Sequence, residues 1–128
     1  MARVMIVDDA EFMRMVVKET LMKHGHEVVA EMADGEEAIQ KYLETKPDVV
    51  LMDIITPAID VITSEMNEEN QLKKFLLMDP DAKMIMCSSL GQQALITESK
   101  KIGAMGFIVK PFGPDEMLDV IRKIAEPN

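Results

Sequence analysis

The chain has one cysteine, one tyrosine and no tryptophan. A lone thiol forms no intramolecular disulfide, and Cys87 sits in the apolar run Met84-Ile85-Met86-Cys87, where it reads as a small core residue. The scarcity of aromatics removes the stacking platforms that single-stranded nucleic acids need. Positive charge is also short, and a formal net charge of −9 argues against a polyanion such as DNA as the main partner. No apolar run reaches the ~18–20 residues of a membrane span. Met1-Ala2-Arg3-Val4 leads straight into an apolar strand pattern, without the charged region, apolar stretch and cleavage site of a signal peptide. The expectation is a cytoplasmic protein with no nucleic-acid and no membrane partner.

What is present suits one folded unit. The 128 residues are 48% hydrophobic, enough for a single core. The 13 methionines read as flexible core filler. Short apolar runs at residues 4–7, 28–30, 49–52, 84–87 and 107–109 read as strands. Between them, helical periodicity predicts helices over about 10–24, 35–45, 67–78, 92–102 and 114–125. In the first, Phe12, Met13, Val16, Val17 and Leu21 form the apolar stripe; in the second, Ala38, Ile39, Tyr42 and Leu43 do. In the third, Asn67 is the candidate cap, and Leu72, Phe75, Leu76 and Met78 face inward. Gly25 and Gly103 read as helix stops, and Pro114 as a first-turn proline.

Five β-α repeats predict a parallel sheet with helices on both faces. There is no internal repeat, low-complexity segment or linker. The expected organisation is one domain over residues 1–128 with no output domain.

In an open α/β sheet, ligands bind at the C-terminal ends of the strands. Asp8 and Asp9 follow the first strand, Asp53 the third, Ser88 and Ser89 the fourth, and Lys110-Pro111 the fifth. At an effective dielectric of ~20, two carboxylates ~4 Å apart repel by about 4 kcal/mol, and a hard divalent cation relieves that. Mg²⁺ suits a few carboxylates with water and phosphate oxygens. Lys110 adds a point charge for phosphate, and Ser88 a hydroxyl donor. The set provides what phosphoryl transfer needs: a nucleophile, a metal and donors for the equatorial oxygens. Each piece alone has a plain structural reading. An Asp pair after a strand is often a helix cap, a lone Asp a turn residue, and a Lys-Pro pair says little. Their convergence on matched strand ends favours the functional reading. His24 and His26 flank Gly25 and read as helix-end residues rather than metal ligands. Asp60, Asp79 and Asp81 read as turn residues, and the acids of residues 65–69 as a solvated face.

The segments Val7-Asp8-Asp9-Ala10 with Phe12-Met13-Arg14, Val50-Leu51-Met52-Asp53 with Thr56-Pro57, Met86-Cys87-Ser88-Ser89-Leu90-Gly91-Gln92-Gln93, and Gly103-Ala104-Met105-Gly106-Phe107-Ile108-Val109-Lys110-Pro111-Phe112 together resemble the CheY-like receiver domains of bacterial and archaeal two-component systems. The resemblance covers essentially the whole chain. It implies a flavodoxin-like (βα)5 fold, a phosphoacceptor at Asp53, and Mg²⁺ held by Asp8, Asp9, Asp53 and the Ile55 carbonyl. It further implies phosphoryl contacts from Ser88, Ser89 and Lys110, a switch at Ser88 and Phe107, and a cis Lys110–Pro111 bond. The partners it implies are a CheA-like histidine kinase, a flagellar motor switch or archaeal adaptor, and a phosphatase. Phosphorylation and dephosphorylation would be self-catalysed.

Three departures stand out. The stretch from Asp53 to Ser88 is several residues longer than such domains usually have, which predicts a remodelled segment at 57–70. The family's Asp-Gly turn appears as Asp60-Val61, and Phe107 stands where a tyrosine is common. Two further readings remain: a phosphorelay intermediate that passes its phosphoryl group to a histidine phosphotransfer protein, and a Mg²⁺-dependent phosphatase with an Asp nucleophile. Ile55 weakens the latter, because such enzymes place a second acid two residues after the nucleophile.

Overall fold

Strands that are apolar at consecutive positions are stable only where both faces of their sheet are covered. The computed structural model describes residues 1–33, 35–53, 71–89 and 93–126, and provides that cover. The elements are β1 (Arg3–Val7), α1 (Glu11–Lys23), β2 (Glu27–Met32), α2 (Gly35–Thr45), β3 (Val49–Asp53), α3 (Gln71–Met78), β4 (Met84–Ser88), α4 (Gln93–Ile102), β5 (Gly106–Val109) and α5 (Pro114–Ala125). The strands pair in parallel in the order β2-β1-β3-β4-β5. The chain therefore reverses its direction of growth between β1 and β3, and at such a switch point the strand ends open a crevice. This is the doubly wound architecture expected from the β-α alternation.

Alternation along each strand sorts the core into two layers. Met5, Val7, Val50, Met52, Met84 and Met86 pack with Ala38 and Tyr42 of α2 and Leu72 and Phe75 of α3. Val4, Ile6, Val49, Leu51, Ile85, Cys87 and Ile108 pack with Val17 and Leu21 of α1 and Met117 and Ile121 of α5. Methionine gathers on the first face and branched aliphatics on the second, so the α2–α3 side is filled by the more adaptable side chains. The expected role of methionine as filler holds for these buried residues, whereas Met1, Met15, Met22 and Met105 are exposed. Tyr42 and Phe75 meet edge to face, 5.5 Å between centroids, and the Tyr42 hydroxyl donates to Asp79 Oδ2 at 2.7 Å.

The glycine stops are used as expected. Gly25, at φ 84, lets its own N–H donate to Met22 and that of His26 to Leu21, which satisfies the last carbonyls of α1. Gly103, at φ 133, ends α4 in a similar way, with Ala104 N–H donating to Ser99.

Two expected apolar stripes need correction. In α1, Val17 and Leu21 are buried and Met13 half-buried, but Phe12 (67%) and Val16 (38%) are exposed. Val17 and Leu21 form the i, i+4 row that packs on the sheet; positions 12 and 16 lie to its side, about 100° from residues 13 and 17. In α2, Ala38 and Tyr42 form the corresponding buried row, and Leu43 is turned outward. The expected remodelled segment at 57–70, the Asn67 cap, Asp60 and the acids of 65–69 lie outside the described residues, as do Ile55 and residues 90–92.

Candidate functional site

The loops leaving β1, β3, β4 and β5 converge at one edge of the sheet. Asp8 leaves β1 with all its polar groups engaged. Its N–H donates to Met32 O at 3.0 Å, Oδ1 accepts from Ala10 N–H at 2.9 Å, and Oδ2 pairs with Lys110 Nζ at 2.9 Å. The acidic pair is not the helix cap that its position also allowed: the N-cap is Ala10, with no side-chain cap bond, and Asp8 Oδ1 holds only the Ala10 N–H while Oδ2 faces the site. Asp53 ends β3, and its Oδ1 lies 2.8 Å from the same Nζ. Asp9 is exposed beside them, and one oxygen from each of the three acids lies within 4.8 Å of the others.

Lys110 is placed by backbone pairing. Its N–H donates to Ser88 O at 2.7 Å, which extends the β4–β5 register by one step, and a cis Lys110–Pro111 bond follows as expected. The ammonium stands between Asp8 and Asp53 with its side chain 18% exposed. Burial works against that charge, but hydrogen bonds to Asp53 and Asp8 outweigh it and hold the Lys110 pKa above its ordinary value. Asp53 is shifted upward as well. Burial is the largest cause, and Asp8 and Asp9 add to it, while Lys110 pulls the other way without cancelling them. The charged Asp53 is therefore under electrostatic pressure that a cation would relieve.

Ser88 is buried (3% exposed), Ser89 is exposed, and Phe107 is half-buried against the α2–α3 core. Cys87, directly before Ser88, is buried with its thiol pushed up to about 12 by burial, as an inert core residue should be. One participant escaped the sequence reading. Arg14 Nη1 donates to Asp8 O at 2.6 Å, and the available signal was a cation in the first turn of a helix that follows an acidic loop.

The donor set fits a hard divalent ion. It offers carboxylate oxygens only, and the three lie within 4.8 Å of one another, close to the ~3 Å (cis) to ~4.2 Å (trans) that separates two oxygens on one Mg²⁺.

Comparison with known proteins agrees with this geometry. The family described as the response regulator receiver domain matches residues 4–122. The chain is 47% identical over 124 residues to the chemotaxis protein CheY of Thermotoga maritima, covering 97% of this chain and 98% of that protein. It is also 47% identical to the CheY of Bacillus subtilis, over 94% of this chain and 95% of the relative. Among solved structures, the CheX–CheY–BeF3–Mg²⁺ complex of Borrelia burgdorferi aligns with a TM-score of 0.82 at 31% identity, covering 95% of this chain and 87% of that one. The chain belongs to the response regulator receiver family. Within it, the chain is a phosphoacceptor response regulator closely related to the CheY chemotaxis regulators.

Proposed function

We propose that this protein accepts a phosphoryl group on Asp53 from the phosphohistidine of a CheA-like kinase and carries the signal to a chemotaxis motor. The observation that carries this reading is the convergence of Asp8, Asp9 and Asp53 around the Lys110 ammonium. Asp8, Asp9 and Asp53, with the Ile55 carbonyl, would hold Mg²⁺, which supplies positive charge for the phosphoryl oxygens when bound. An Asp53 oxygen attacks phosphorus in line with the imidazole; the P–O bond forms as the P–N bond breaks. Lys110 exchanges part of its pairing with the acids for the transferred oxygens, and Ser88 and Ser89 donate to them. Water later cleaves the acyl phosphate, so both steps are self-catalysed, and a CheX-like phosphatase is a natural partner for the second.

The charge gained on Asp53 draws Ser88 inward, and Phe107, already half-buried beside the core, turns toward the space it leaves. That reshapes the face of α4, β5 and α5 near Gln93 and Lys123. A flagellar motor switch or an archaeal adaptor reads the face. No helix among the described residues is long and apolar enough to cross a membrane. A cytoplasmic location fits this scheme. Incubation with acetyl phosphate and Mg²⁺, followed by intact-mass spectrometry, tests the reading. Wild type should gain one phosphoryl group and Asp53→Ala none; equal labelling of both removes Asp53 from its role.

A further inference from the structure

The acidic loop is held from behind by a side chain that touches none of the three carboxylates. Arg14 lies in the first turn of α1, where its own N–H closes a bond to Ala10 O at 3.1 Å. Its guanidinium folds back over the loop. Nη1 donates to the main-chain oxygen of Asp8 at 2.6 Å, and Nε lies 3.6 Å from Glu31 Oε1. Glu31 is held in turn by Lys18, with Nζ 3.0 Å from Oε2. Arg14 is the sequestered member of this group, with a side chain 15% exposed against 44% for Lys18. The C=O of Asp8 and the N–H of Asp9 share one rigid peptide plane. A donor that holds this oxygen therefore restrains the plane from which both side chains leave the backbone, and so the directions their carboxylates can take.

We propose that Arg14 is a positioning residue for the metal cluster. Its guanidinium bridges the Asp8 carbonyl and Glu31, and so aims Asp8 and Asp9 at Asp53. The inference rests on reading those three acids as the Mg²⁺ site. A planar fork is required because Nη1 and Nε serve two acceptors in different directions, which a single ammonium at the end of an unbranched lysine stem does not reproduce.

The sign of the effect separates aim from charge. Removing a cation near an acidic cluster makes the potential more negative, so on charge alone Arg14→Gln should tighten Mg²⁺ binding and Arg14→Lys should leave it unchanged. Loss of aim weakens binding in both variants, by about tenfold, the lower end of what losing an outer partner of metal ligands costs.

The experiment is a Mg²⁺ titration of wild type, Arg14→Lys and Arg14→Gln, followed by the backbone amide shifts of residues 8–10, with thermal melts in EDTA alongside. About tenfold weaker binding in both variants supports the proposal. Arg14→Lys matching wild type, or Arg14→Gln binding more tightly, overturns it. So does a lowered melting temperature with unchanged affinity, which would make Arg14 a structural clamp only. If wild type itself shows no saturable shift at these amides, the reading of the acids as a metal site fails, and this inference falls with it.

Discussion

Asp53→Asn offers the sharpest test of the electrostatics, because the structure sets opposing forces at known distances. In wild type, Asp53 faces Lys110 at 2.8 Å and two acids whose oxygens lie within 4.8 Å. At an effective dielectric of ~20, the ammonium contributes about 6 kcal/mol of attraction, and each acid at least about 3.5 kcal/mol of repulsion. The two repulsions slightly exceed the attraction, by about 1 kcal/mol, and burial of the charge adds to the deficit. The upward shift of the Asp53 pKa has the same sign. The amide introduced by the substitution would still accept from Lys110 but carry no charge. The metal-free variant should therefore be more stable than wild type by about 1 kcal/mol near neutral pH, or about 3–5 °C in melting temperature. Mg²⁺ should then reverse part of the difference. At ten times its dissociation constant it adds about 1.4 kcal/mol to wild type and less to the variant, which lacks one of the proposed ligands. Melts by circular dichroism in EDTA and in Mg²⁺ read both numbers. A variant less stable than wild type in EDTA would refute the argument, since Lys110 would then more than satisfy the acids.

Three further outcomes follow from other parts of the fold. Tyr42→Phe removes the hydroxyl that Asp79 accepts at 2.7 Å and should cost about 1 kcal/mol in urea denaturation, with the ring contact to Phe75 retained. His26 accepts the Ala2 N–H on Nδ1 at 3.0 Å, and its pKa is lowered from 6.5, by burial first and then by the N-terminal ammonium. A lowered folded pKa means stability that is complete above 6.5 and lost as pH falls through the folded value, so His26→Gln should flatten that loss in melts recorded between pH 7 and 5. A Cβ at Gly106 would lie 2.7 Å from Ile124 Cδ1, the free end of a flexible side chain, and 3.2 Å from Val120 Cγ1, so Gly106→Ala should cost about 1 kcal/mol, the low end for overpacking, as Ile124 turns aside and Val120 shifts slightly, measurable by the same denaturation.

The strands were legible because their residues are apolar on both faces, and the site was legible because strand ends collect ligands. Asp8, Asp53 and Lys110 could thus be placed at one edge before any coordinates. Helix faces were less legible. Apolar residues at 12, 16 and 43 match a helical period, but Val17 and Leu21 in α1, and Ala38, Ile39 and Tyr42 in α2, are the ones packed into the core, and periodicity does not fix which side of a broad stripe is. Side-chain pairs across long separations were not legible at all. Asp79 read as a turn residue, and its Oδ1 does accept from Asp81 N–H, but its bond to Tyr42 depends on how α2 and α3 pack. Arg14 was hidden for a similar reason: its acceptors sit on a loop and on β2, which come together only once the sheet forms.

The most direct measurement is a crystal structure grown with Mg²⁺ and beryllofluoride. The account predicts beryllium on an Asp53 oxygen, Mg²⁺ about 2.0–2.1 Å from oxygens of Asp9 and Asp53, and Lys110 Nζ turned onto a fluoride. Beryllofluoride bound at another side chain, or Mg²⁺ shared by acids other than these, would contradict it.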